Sequence, residues 1–141
     1  MTGPISGLLG LSRWRTFAFI AAPWALYNWW AFRADGLWTA TLEAAGGRLP
    51  EALPGFPAIE PQRSLDALAA ADATGAYIAW QIADAPYAVG NFLVIGAAIG
   101  LGLRSLRIEN SSLRFLLLLP TIYLACELIE NPLVAAFAAG A

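Results

Sequence analysis

Residues 113–141 read LRFLLLLPTIYLACELIENPLVAAFAAGA. The stretch is apolar for longer than the ~20 helical residues that cross the ~30 Å hydrocarbon core of a bilayer. It also carries Glu127, Glu130 and Asn131. An ionised carboxylate at mid-bilayer costs at least about 2.5 kcal/mol, so acids one turn apart need compensation, and both are expected to face protein and not lipid.

Two more apolar runs lie upstream. Residues 14–32 end in a dense aromatic group, Trp24, Tyr27, Trp29, Trp30 and Phe32, of the kind that favours the boundary between lipid and water. Residues 76–103 form the second span, in which Gly96 and Gly100 make a small-xxx-small step suited to close helix contact. The composition agrees: 59% of the 141 residues are hydrophobic, 13% are charged, and the mean hydropathy is +0.61. The expected fold is an all-α integral membrane protein. Residues 1–141 form one membrane domain with three transmembrane helices, at about 14–32, 76–103 and 113–136, and short amphipathic helices in an extracytoplasmic loop.

Residues 1–12, MTGPISGLLGLS, read as a weakly apolar terminal segment along the membrane surface, with Ser12 as N-cap of the first span. Arg13 and Arg15 ahead of an apolar run resemble a signal peptide. The run continues without a small-x-small cleavage site and is read as a retained span. Between the first two spans, residues 33–75 change character. Pro50, Pro54, Pro57 and Pro61 keep the middle extended or turning, and the pair Gly46-Gly47 stops a short helix over 39–45. Ser64 is read as the cap of a second short helix, which Gly75 breaks. Together these form a lid over the helix ends.

All eight cations are arginines. Five (13, 15, 104, 107, 114) flank the N-terminus and the short loop 104–112, and three (33, 48, 63) are spread through the long segment. The positive-inside rule therefore predicts a cytoplasmic N-terminus and loop 104–112, with the lid and C-terminus outside, in a bacterial inner membrane. The net charge of −2 has no basic patch for nucleic acid. With no His, the commonest general base and metal ligand is missing, and Cys126 is alone, so neither metal nor cofactor is predicted. Contacts with bound lipid or pigment are compatible with the surface.

Polar residues recur at helical spacing inside the spans. Tyr77, Gln81, Asp84 and Asn91 share one face of the second, with Pro86 and Tyr87 beside the acid; on the third, Tyr123 and Glu127 line up with Glu130 or Asn131. Asn28 sits near the outer end of the first. The antiparallel order brings these residues to one depth beneath the lid. Arg33 is the preferred partner of the acids, with Arg48 and Arg63 as alternatives. Pro120 and Pro132, like Pro86, favour kinks near the acids. Such a cluster either holds helices together or serves a proton, ion or lipid-headgroup site.

The segments LDALAAADATGAYIAWQIADAPY and LLLLPTIYLACELIENPL resemble a group of uncharacterised small bacterial multi-span membrane proteins. Their pattern pairs an Asp/Pro/Tyr span with a following Pro…(D/E)xxEN span. Leu65, Leu68, Gly75, Asp84, Pro86, Tyr87, Pro120, Glu127, Glu130 and Asn131 match it. This chain departs in having Glu127 where Asp is usual, Ala76-Tyr77 at the span entry, and no further span after the motif. The resemblance implies a multi-span topology and singles out the acids. The expected role is a non-catalytic accessory or scaffold subunit against a larger inner-membrane complex, respiratory or photosynthetic. The alternative is a small proton- or ion-coupled carrier or lipid-active protein built on the carboxylates.

Overall fold

The structure is a computed structural model that describes residues 4–33, 36–47, 49, 59–108 and 112–140. All regular structure among them is helical: α1 (Pro4–Leu11), α2 (Trp14–Phe32), α3 (Leu37–Ala44), α4 (Ile59–Ala70), α5 (Thr74–Ser105) and α6 (Leu118–Gly140), the last entered through a 3₁₀ turn, Ser112–Leu117. Two helical segments are long and apolar enough to cross a membrane, Thr74–Ser105 and Ser112–Gly140. α2 has nineteen residues, but Arg15, Asn28 and its polar-edged rings hold its hydropathy below theirs. The prolines Pro50, Pro54 and Pro57 and the candidate cation Arg48 lie outside the described residues.

Three helices stop in the same way. After α3, α4 and α5 a residue with positive φ, Gly46 (69°), Asp72 (54°) or Arg107 (57°), reverses the chain. Its N–H and the next return to the last turn. In α4, for example, Asp72 N–H reaches Ala69 O at 3.1 Å and Ala73 N–H reaches Leu68 O at 2.8 Å. This satisfies carbonyls that the helix end leaves without donors. The break before α5 is therefore at Asp72, not at Gly75, which lies in the first turn of α5. Asp tolerates the left-handed conformation because its short side chain can bond locally.

Other expected boundaries also move. α4 begins at Ile59, so Ser64 is inside it and buried instead of capping it. Pro61 falls in its first turn, where the missing N–H has no carbonyl to serve. Pro120 likewise occupies the first turn of α6, so it does not interrupt that helix. α5 and α6 do run through Pro86 and Pro132. Each proline leaves a carbonyl four residues back, at Ile82 and Leu128, without its helix donor.

The chain divides into two compact units, each described by itself. The first comprises Met1–Asn28 and Ala85–Ile129. In it α1 and the residue that follows it pack on α5 at an i, i+4 interval: Leu8 lies over Gly96 and Ser12 over Gly100. A Cβ at Gly96 would come within 2.7 Å of Leu8 Cδ2, and one at Gly100 would overlap Ser12 Oγ. Leu8, Leu103 and Leu117 form the buried apolar centre. Ser12 does not cap α2; it is buried, and its hydroxyl donates back to Leu8 O at 2.8 Å. Its carbonyl receives Arg104 Nη1 at 3.2 Å. The N-terminal segment is thus a packed helix.

The second unit comprises Trp29–Asp84 and Glu130–Ala141. Ala45, Leu49, Leu65, Leu68, Tyr77 and Ala138 are buried together, with Trp38, Leu42 and Val134 packed against them. The segment read as a lid therefore has an apolar core shared with the start of α5 and the end of α6. Phe32, Trp38 and Trp80 add a ring cluster with centroids 4.9–5.7 Å apart, each such pair contributing about 0.5–1.5 kcal/mol beyond area burial. Phe32 is in this way partly drawn into protein, whereas Trp29 remains exposed.

Candidate functional site: two buried polar links

The polar residues singled out by spacing form two separate arrangements, one in each unit. In the second unit, Asn131 Nδ2 donates to Asp84 Oδ2 at 2.9 Å. Asn131 is 8% exposed and Asp84 half-buried, and Gln81, one turn before Asp84, is buried as well. The bond ties α5 to α6 across 47 positions of sequence. An amide donor on a carboxylate is charge-assisted and stronger than a neutral pair.

In the first unit, Asn91 Nδ2 donates to the Tyr123 hydroxyl oxygen at 3.0 Å. Tyr123 is also hydrogen-bonded to Glu127, one turn further along α6, and Tyr87 lies near enough to act on it electrostatically. With its oxygen accepting from Asn91, the phenol is free to donate its proton to the carboxylate. The link runs amide, hydroxyl, carboxylate, and Asn91 at its head is buried at 9% exposure.

The two acids of α6 differ. Tyr123, Glu127 and Asn131 follow at intervals of four and share one side of the helix. Glu130 is one residue from Asn131, about 100° round the helix, and stands on the exposed side. Among the described residues it has no hydrogen-bond or ionic partner. Within this chain, therefore, Glu127 turns toward protein and Glu130 does not. The residue at the end of the stripe is Asn131.

Asn28 turns its amide onto its own helix, with Nδ2 donating to Trp24 O at 2.9 Å. Arg33 follows α2 directly, and its carbonyl accepts from Gly36 N–H and the Thr39 hydroxyl. Trp24 lies against Gly90, where a Cβ would collide with its ring, and its buried indole Nε1 has no hydrogen-bond partner among the described residues. Among the described residues no three His, Cys, Asp or Glu side chains converge as a metal site.

Sequence reasoning named Asn91 on the stripe but did not pair it with Tyr123. It also missed the fit of Leu8 and Ser12 onto the glycines. The usable signal was a matched interval of four on both helices, Leu8/Ser12 and Gly96/Gly100. No family model, curated protein or solved structure matches the chain.

Proposed function

We propose that the protein is a non-catalytic membrane subunit that packs against a larger inner-membrane assembly, respiratory or photosynthetic in kind. α2, α5 and α6 cross the bilayer, with the arginine-rich N-terminus and loop 104–112 on the cytoplasmic side and the segment 33–75 outside.

The observation that carries this reading is the imbalance in how the two apolar segments are covered. In its most apolar stretch, Thr74–Ser105 is 39% buried, whereas Ser112–Gly140 is only 11% buried. Large apolar side chains along α6, including Leu119, Ile122, Ile129 and Leu133, are more than half exposed. Such a surface needs lipid or another protein against it. The buried polar groups support the same reading. Asn131 bonds Asp84 and Asn91 bonds Tyr123, each from one helix to the other, which is how polar residues hold membrane helices together, at about 0.6 kcal/mol per pair on average.

The test is extraction in gentle detergent followed by native mass measurement and identification of what co-migrates. The expected result is a particle much larger than the 15.0 kDa chain, retained in Glu127→Gln. Migration as an isolated monomer refutes the reading. So does an assembly that persists in Glu127→Gln while a proton- or ion-transport activity of the wild type disappears, which is the outcome for a carrier.

A further inference from the structure

Glu130, Leu133 and Phe137 lie at intervals of three and seven on α6, hence on one side of it. All three belong to the second unit. Leu133 is 64% and Phe137 59% exposed. Glu130 is exposed between them and the rest of the helix, without a partner among the described residues. Beside Phe137 a groove of about 370 Å³ opens between Gln62 of α4 and Ala136 and Gly140.

The position of the carboxylate matters more than its exposure. Glu130 is about 26 Å along the helical segment from Leu113 and about 9 Å from Ala136, the ends of the expected span, at 1.5 Å per residue. Its short side chain cannot reach either end. Left against hydrocarbon, the charge is strongly disfavoured, and a cation at the same depth removes that penalty.

We infer that the Glu130, Leu133 and Phe137 face seats a transmembrane helix from outside this sequence that carries a Lys or Arg at the depth of Glu130. The inference rests on the proposed insertion of α6. A second copy of this chain does not meet the requirement. Its cations are arginines at 13, 15, 33, 48, 63, 104, 107 and 114, and none falls in the interior of α2, α5 or α6: Arg15 is in the first turn of α2 and Arg104 in the last turn of α5. Lipid amines do not meet it either, since they reside in the headgroup layer. The partner thus has an apolar helix, small enough at the crossing to accept Leu133 and Phe137, with one basic residue within about a turn of the contact.

The experiment uses the full chain in its native membranes, with Leu133→Cys in a Cys126→Ser background labelled by a photoactivatable maleimide. The expected result is an adduct whose partner peptide is an apolar span containing Lys or Arg. Glu130→Arg is expected to weaken the adduct about tenfold or more, a difference of about 1.4 kcal/mol, and changing the partner's cation to Glu is expected to restore it. Restoration separates charge pairing from misfolding, and Glu130→Gln, expected to weaken the adduct less than Glu130→Arg, is the isosteric control. An adduct only with a second copy, an adduct only with lipid, a partner span without a cation, or indifference to Glu130→Arg each overturns the inference. Alkaline carbonate washing distinguishes the two levels. Release of the chain from the membrane overturns the spanning reading itself, whereas retention without a protein adduct overturns only the seat.

Discussion

Gly100→Ala and Gly102→Ala are the same chemical change two residues apart on α5, and the structure predicts opposite outcomes. Each gains about 0.5–1 kcal/mol from replacing a helical glycine. At Gly102 no atom of the described residues lies within 4 Å of the added Cβ, so the gain stands. At Gly100 the Cβ overlaps Ser12 Oγ and lies 2.8 Å from Ser12 Cβ. Ser12 must move, which breaks its bond to Leu8 O, worth about 1 kcal/mol. Overpacking adds about 1–3 kcal/mol. Gly100→Ala is therefore expected to destabilise by about 1–3 kcal/mol, leaving about 2–4 kcal/mol between the two variants. The assay is unfolding in mild detergent by titration with sodium dodecyl sulfate, followed by tryptophan fluorescence. Ser12→Gly removes the obstruction, so combining it with Gly100→Ala is expected to recover at least ~1 kcal/mol relative to additivity. Equal effects of the two alanines, or no recovery in the double variant, would refute the seating of α1 on α5.

Two further outcomes test other parts of the structure. Arg107→Gly keeps the left-handed turn after α5 and relieves a side chain from positive φ, so it is expected to raise the unfolding free energy by about 0.5–1 kcal/mol in the same titration, and a loss would argue against that turn. Asn131→Ala withdraws the donor from Asp84 and is expected to cost about 1–3 kcal/mol, whereas Glu130→Ala is expected to be neutral in the isolated chain; comparing their denaturation midpoints checks which of the neighbouring residues holds the helices.

The helices most legible in the sequence were those written by composition alone. α5 and α6 are continuous apolar runs, and Gly46-Gly47 stops α3 because glycine enters the left-handed region freely. Capping residues misled for a definite reason. A serine before an apolar run marks a start only if nothing helical precedes it, and α1 precedes Ser12 while the first turns of α4 precede Ser64. Prolines misled similarly, because Pro61 and Pro120 fall in first turns where their missing donor is not needed.

At the site, the acids were conspicuous as charges in apolar helices, but their partners were not. Whether Glu130 or Asn131 turns inward depends on about 100° of helix rotation, and that rotation is fixed by contacts such as Val134 and Ala138 against the Tyr77 core. The link between Asn91 and Tyr123 joins residues 32 apart. Periodicity places each on a face of its own helix, and nothing local says that the two faces meet.

The docking of α1 on α5 bears on how the protein is made. α1 is translated before Gly96 and Gly100, the surface that will hold it. At roughly 5–20 residues per second, several seconds pass before that surface emerges from the ribosome. During that interval Leu8 lacks the contact with Gly96 that helps to bury it. A protease acting on nascent chains would therefore find α1 cleavable early and protected late, which makes its protection a clock for the completion of α5.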